Sequence, residues 1–144
     1  MTVPNGVHTP SFADSNIWLY AFLDEQSDTK ASIARRILGD SRPMLSVQVI
    51  NEICRNLLQK GGLDEVRIRS IIKSFYAYYS VADLTQETLL LGSDLRTRYS
   101  FSFWDSLIVA AALQSGAQLL YSEDMQHGLV VDGSLRVVNP FLQE

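Results

Sequence analysis

The sequence predicts an α/β domain with a mostly parallel sheet of about five strands between helical layers, and three observations carry that expectation. Short apolar runs of strand length alternate with longer stretches of helical periodicity. Four of the helical stretches open on a capping residue: Ser46, Asp64, Thr85 and Ser102. One segment, Leu107 to Leu113, is apolar on nearly every side, as a helix buried at the centre of such a domain must be.

The elements follow in order. Ser11 to Asp14 reads as a first strand, and Ile17, Leu19, Tyr20 and Leu23 continue it as a helix. Ile33, Ile37 and Leu38 mark a second amphipathic stretch that Gly39 can close. Pro43 to Leu45 is a second strand. Ser46 then caps a helix in which Val49, Ile50, Ile53, Cys54, Leu57 and Leu58 keep the i, i+3, i+4 rhythm until Gly61 and Gly62. Asp64 caps the next, with Ile68, Ile71, Ile72, Phe75 and Tyr76 at core spacing, so the two form a helical hairpin. In "FYAYY", Phe75 to Tyr79, the remaining aromatics suit an interface. Ser80 to Leu84 is a third strand, Thr85 to about Arg98 a helix, and Ser102 to Ser115 the buried helix. Gln118 to Tyr121 and Leu135 to Val138 complete the alternation, with helices expected on both faces of the sheet.

At 144 residues the chain fits one domain. Residues 1–10 read as a flexible lead and 11–144 as that domain. No apolar run reaches the roughly 20 residues that cross a bilayer, and the N-terminus lacks a basic and an apolar segment, so no membrane association and a cytoplasmic location are expected. The single cysteine, Cys54, excludes a disulfide framework. His8 and His127 are isolated near loops, and neither is assigned a catalytic role.

The acidic residues carry the chemistry. In open α/β sheets ligands bind beyond the carboxyl ends of the strands, where Asp14 follows the first strand and Asp124 follows "LLY". Each can instead cap a helix or make a turn. Asp105 stands in the first turn of the most apolar helix, three residues after Ser102, which also fits a capping box. Glu52 lies opposite Val49, Ile53 and Leu57 on its helix, where solvated glutamates also lie. Gathered at one rim, four carboxylates would repel one another unless cations sat among them. An all-oxygen set without Cys or His suits Mg²⁺ or Mn²⁺ rather than zinc.

The net charge of −4 opposes nucleic-acid binding at first sight. Removing four acids from the 16 Asp and Glu leaves 12, which balance the 12 Lys and Arg. The acidity then belongs to the site. Arg55, Lys60, Arg67 and Arg69 around the helical hairpin offer backbone contacts to a nucleic acid, and equally a plain solvated face.

Four segments together resemble the PIN domain, a nuclease fold that includes the VapC-type toxins of bacterial toxin and antitoxin pairs. They are "FADSNIWLYAF" with Asp14, Ser15 and Asn16, "SVQVINEICRNL" with Glu52, "FSFWDSLIVAAA" with Asp105, and "GAQLLYSEDMQHG" with Ser122 and Asp124. Ser15 and Ser122 stand where threonine is often found, which keeps the hydroxyl. The resemblance implies metal-dependent hydrolysis of RNA, with Asp14 and Asp105 as principal ligands of Mg²⁺ or Mn²⁺. It further implies that Glu52 binds a second ion or orients the water, and that Asp124 completes the shell. Ser122 and Asn16 would be hydrogen-bonding supports. Glu123 is an alternative to Asp124, although alternation along an extended segment turns it away.

An antitoxin protein and a homodimer are implied partners. A catalytically silent PIN-like interaction module is the rival reading. A phosphatase or phospho-receiver fits poorly, because Asp14, Ser15, Asn16 lacks the second aspartate and none of Lys30, Lys60 and Lys73 follows a late strand.

Overall fold

The computed structural model describes residues 9–23 and 28–142. Of the expected flexible lead, residues 1–8, with His8, lie outside the described residues. The Pro10 carbonyl accepts hydrogen bonds from the backbone of Gln118 (2.8 Å) and Leu119 (3.3 Å).

Chain order is β1 (Ser11–Ala13), α1 (Ser15–Phe22), α2 (Asp28–Ser41), β2 (Leu45–Ser46), α3 (Val47–Gln59), α4 (Glu65–Tyr78), β3 (Val81–Ala82), α5 (Gln86–Arg98), α6 (Phe103–Gln114), β4 (Leu119–Tyr121), β5 (Val130–Val131) and β6 (Leu135–Val138). β1 pairs parallel with β4 and β4 with β6, while β5 closes the edge antiparallel to β6. β2 and β3 form a parallel pair. Met44 joins the two ladders, donating to the Ser11 carbonyl (2.8 Å) and accepting from the Ala13 amide (3.0 Å). The resulting order is β3-β2-β1-β4-β6-β5. All three residues of β1 are buried, and since successive side chains point to opposite faces, both faces are covered.

The capping residues behave as their chemistry dictates. Ser46, Asp64 and Ser102 accept from backbone amides three residues on, and Thr85 forms a capping box with Thr88. Ser106 to Ala112 of α6 are buried without a break, as its apolar sequence requires, and α6 packs on α5. Around α1, Trp18 meets Phe75 and Tyr79 edge-to-face at 5.3 Å and 4.9 Å, and its indole nitrogen donates to the Ala13 carbonyl at 3.0 Å.

Three details differ from expectation. α2 runs through Gly39 to Ser41, and Arg42, at φ 45°, ends it while donating to the Tyr78 carbonyl. Phe75 is core but Tyr76 is 55% exposed, because α4 buries a narrow stripe. β5 was not foreseen and gives a sixth strand, joined to β6 by a turn with Asp132 at φ 51° and Gly133 at φ 71°.

Candidate active site

The order of strands reverses between β1 and β4: the chain leaves β1 for β2 on one side, while β4 pairs on the other. Ligand crevices in open α/β sheets form beyond such a reversal. The register opposes Ala13 to Tyr121, so the next residues, Asp14 and Ser122, emerge side by side. The Asp14 amide donates to the Tyr121 carbonyl (2.9 Å), and the Ser122 hydroxyl donates to Asp14 Oδ2 (3.0 Å). Asp14 is also the N-cap of α1, its Oδ1 accepting from the Ser15 amide at 2.7 Å. Capping and membership of the site coexist in one side chain.

Asp14 is 5% exposed, and its hydrogen-bond donors are neutral. Burial pushes its carboxyl up to about 7; the Ser15 and Ser122 bonds oppose that shift, and the negative charges of Glu52 and Asp105 add to it. Asp105, half-buried in the first turn of α6, is raised by burial and by the charge of Asp124, against the effect of Ser102. Folding thus draws Asp14, Glu52, Asp105 and Asp124 into one electrostatic neighbourhood.

Side chains foreseen as supports reach two of these acids. Asn16 Nδ2 donates to Asp124 Oδ2 (3.0 Å), and Ser122 serves Asp14. Glu123 is engaged elsewhere, on a bend rather than an extended segment: its carboxylate takes the Lys30 ammonium and the Tyr20 hydroxyl, the latter at 2.6 Å. Burial pushes the Glu123 carboxyl up, but those two bonds and the Lys30 charge outweigh it, and the net direction is down. His127 Nδ1 accepts from the Asn139 amide, a structural task at the foot of the Asp124 loop.

Sequence reading missed Gln48. Its Nε2 donates to Glu52 Oε2 (3.3 Å) and to the Trp104 carbonyl (3.2 Å), binding α3 to the start of α6. The signal was a polar residue one turn before Glu52 on a strongly amphipathic helix.

Grooves open on both sides of the acids. One, of about 440 Å³, is lined by Gln48, Asn51, Glu52, Arg55, Leu84 and Trp104. The other, of about 380 Å³, is lined by Asp105 and Asp124 together with Arg98, Tyr99 and Phe101. Of the four cations singled out around the hairpin, Arg55 lies at this site.

No three Asp, Glu, His or Cys side chains among the described residues are grouped so as to hold one ion between them. The donor chemistry nonetheless fits a small hard cation. Mg²⁺ keeps several waters and takes one or two carboxylates, and Asp14 is a carboxyl that burial first, and the charges of Glu52 and Asp105 after it, press toward the neutral form.

An α/β sheet with acidic residues at its strand reversal is the class of fold seen here, and comparison with known families makes the class specific. The PIN domain profile matches residues 11–129, and the chain belongs to the PIN-domain family. Its fold is that of VapC-type proteins. VapC20 of Mycobacterium tuberculosis, a sarcin-ricin loop cleaving toxin, is similar over 79% of this chain and 89% of its own, with a TM-score of 0.63 and 20% identity. A chain of a Klebsiella pneumoniae toxin-antitoxin complex is similar over 91% and 98%, with a TM-score of 0.67 and 15% identity. DNA-bound VapBC of Salmonella typhimurium is similar over 89% and 96%, with a TM-score of 0.64 and 14% identity. At these identities the likeness is one of fold. Sequence comparison with curated proteins finds no match. Among the described residues no helix is long and apolar enough to cross a membrane.

Proposed function

We propose that this chain is a Mg²⁺- or Mn²⁺-dependent endoribonuclease and the toxin of a toxin-antitoxin pair. The observation that carries the reading is the Asp14 carboxyl, buried at the strand reversal with Ser15 and Ser122 donating to it and with Glu52 and Asp105 near enough for their charges to act on it. A resident divalent ion would supply Lewis-acid stabilisation of the phosphate and a more acidic water. Asp14 and Asp105 would hold it, and Glu52 and Asp124 would orient solvent around it. Ser122 and Asn16 fix the rotamers of Asp14 and Asp124 by the bonds described. Arg55 offers a positive charge to the RNA backbone from the groove beside Glu52.

Cleavage of a mixed RNA substrate tests this directly. Activity is expected with Mg²⁺ or Mn²⁺ and lost with EDTA, in Asp14→Asn and in Asp105→Asn. Full activity in both variants ends the proposal.

An antitoxin would find a groove of about 250 Å³ between α1, α2 and α4, where the exposed Phe22 and the partly buried Ala21, Leu38, Ile71 and Tyr79 present apolar surface over the buried Trp18 and Phe75. Val66, Tyr76 and Tyr78, all exposed on α4, suit a homodimer contact. A catalytically silent interaction module is the second reading, favoured by the absence of a three-acid group among the described residues. Titration with Mn²⁺ separates the two: an enzyme gains thermal stability and a scaffold does not.

A further inference from the structure

Trp104 immediately precedes Asp105 in α6 and is 61% exposed, whereas Trp18, the other tryptophan of the chain, is 1% exposed. Leaving an indole in water forgoes stabilisation that burial would bring, and here it joins the exposed Phe103 and Leu84. The pair is oriented: Phe103 meets Trp104 edge-on with ring centroids 5.1 Å apart, and the Arg96 guanidinium lies 4.3 Å from the Phe103 centroid. The Trp104 backbone is anchored through Gln48 to Glu52. Both partners of Gln48 Nε2 are acceptors, which fixes the amide's orientation, and Gln48 Oε1 is left buried without a partner. Gln48, itself 7% exposed, lines the 440 Å³ groove with Asn51, Arg55, Leu84 and Trp104.

We propose that this groove receives an unpaired nucleobase of the RNA substrate, stacked on Trp104, while Arg55 meets the adjoining phosphate and the acids meet the one to be cut. The proposal rests on the nuclease reading and adds to it a residue that positions the substrate: Trp104, as the platform for the base beside the cut bond. The groove combines an indole face, an aliphatic wall, side-chain amides and a guanidinium, a mixture that matches a nucleotide's π-face, polar edge and phosphate. A base must leave its duplex to stack this way, and every base has a π-face, so strandedness is selected more than sequence.

Because Trp18 is in the core, fluorescence quenching by added RNA reports Trp104. The full chain carrying Asp105→Asn, to block cleavage, is titrated in Mg²⁺ with a short single-stranded oligoribonucleotide, with the same strand annealed as a duplex, and with a version lacking one base. Quenching is expected with the single strand alone, and its loss when Trp104→Phe is added. In cleavage, Trp104→Ala should raise KM about ten-fold with a smaller change in kcat. That penalty should vanish on a substrate without the base next to the cut bond, and Trp104→Tyr should recover most of it.

The proposal is overturned by equal quenching with duplex, by wild-type KM in Trp104→Ala, or by a penalty that persists on the base-free substrate. It is also overturned if Trp104→Ala merely dissociates a dimer, which would assign the patch to a second copy. Quenching without any cleavage by the unmodified chain keeps the stacking site and ends the nuclease reading. Cleavage without quenching does the reverse.

Discussion

The Ser122 hydroxyl donates to Asp14 Oδ2 at 3.0 Å across 108 positions of sequence, and this bond joins the ends of two adjacent parallel strands at the deepest carboxyl of the site. It only partly offsets what burial costs that carboxyl.

The stability of the protein should therefore fall as pH rises. Asp14 titrates at about 7 when folded and near its ordinary 3.8 when unfolded. Between those values the folded state holds a proton that the unfolded state has released, so raising the pH favours unfolding, by up to ~4 kcal/mol once both limits are passed. Thermal unfolding in EDTA at pH 5 and pH 8 checks this. Asp14→Asn should flatten the dependence and be the more stable protein at pH 8.

Divalent ions should reverse that loss. At about 100 times its dissociation constant, Mn²⁺ would stabilise the wild-type chain by about 2.7 kcal/mol, read as a rise in Tm of several degrees. Asp14→Asn and Asp105→Asn should show a much smaller rise. An unchanged Tm in the wild type would speak for the scaffold reading.

Lys30 and Tyr20 hold Glu123, the neighbour of Asp124, and so tie the loop after β4 to α1 and α2. Lys30→Met should cost under about 1 kcal/mol, since the ammonium is well exposed. RNA cleavage should nonetheless drop, because Asp124 sits on the loop thus released. Steady-state rates alongside denaturant titration separate the two effects; loss of both in proportion would make Lys30 a purely structural residue.

Trp18→Phe removes the donor to the Ala13 carbonyl and leaves a gap among Phe75 and Tyr79. A destabilisation of about 2 kcal/mol or more is expected from the lost buried bond and the cavity together. Urea unfolding measures it, and a change under about 0.5 kcal/mol would show that the core closes over the site.

Much of this was legible in the residues. Ser46, Asp64, Thr85 and Ser102 announce helices because short polar side chains satisfy amides that nothing else can reach, and the structure uses all four. Asp14 and Asp124 could be placed at strand ends from the sequence because local apolar runs end there. Glu123 was harder, since its partners Lys30 and Tyr20 lie 93 and 103 positions away. β5 has two residues, too few for alternation to show, yet Asp132-Gly133-Ser134 between Val131 and Leu135 is a hairpin signal that the pattern of longer runs obscured. Gly39 misled because a helix stops where its capping geometry fails, not at the first glycine, and here that point is Arg42.

The parallel pairing of β1 with β4 also sets a timetable. During synthesis the strand partner of β1 and the hydroxyl that steadies Asp14 are made more than a hundred residues after Asp14 itself. Contacts so distant in sequence form late in folding. A ribosome making this chain thus carries only the scattered parts of its acidic centre until the segment holding Ser122 and Asp124 has been made and can pair beside β1.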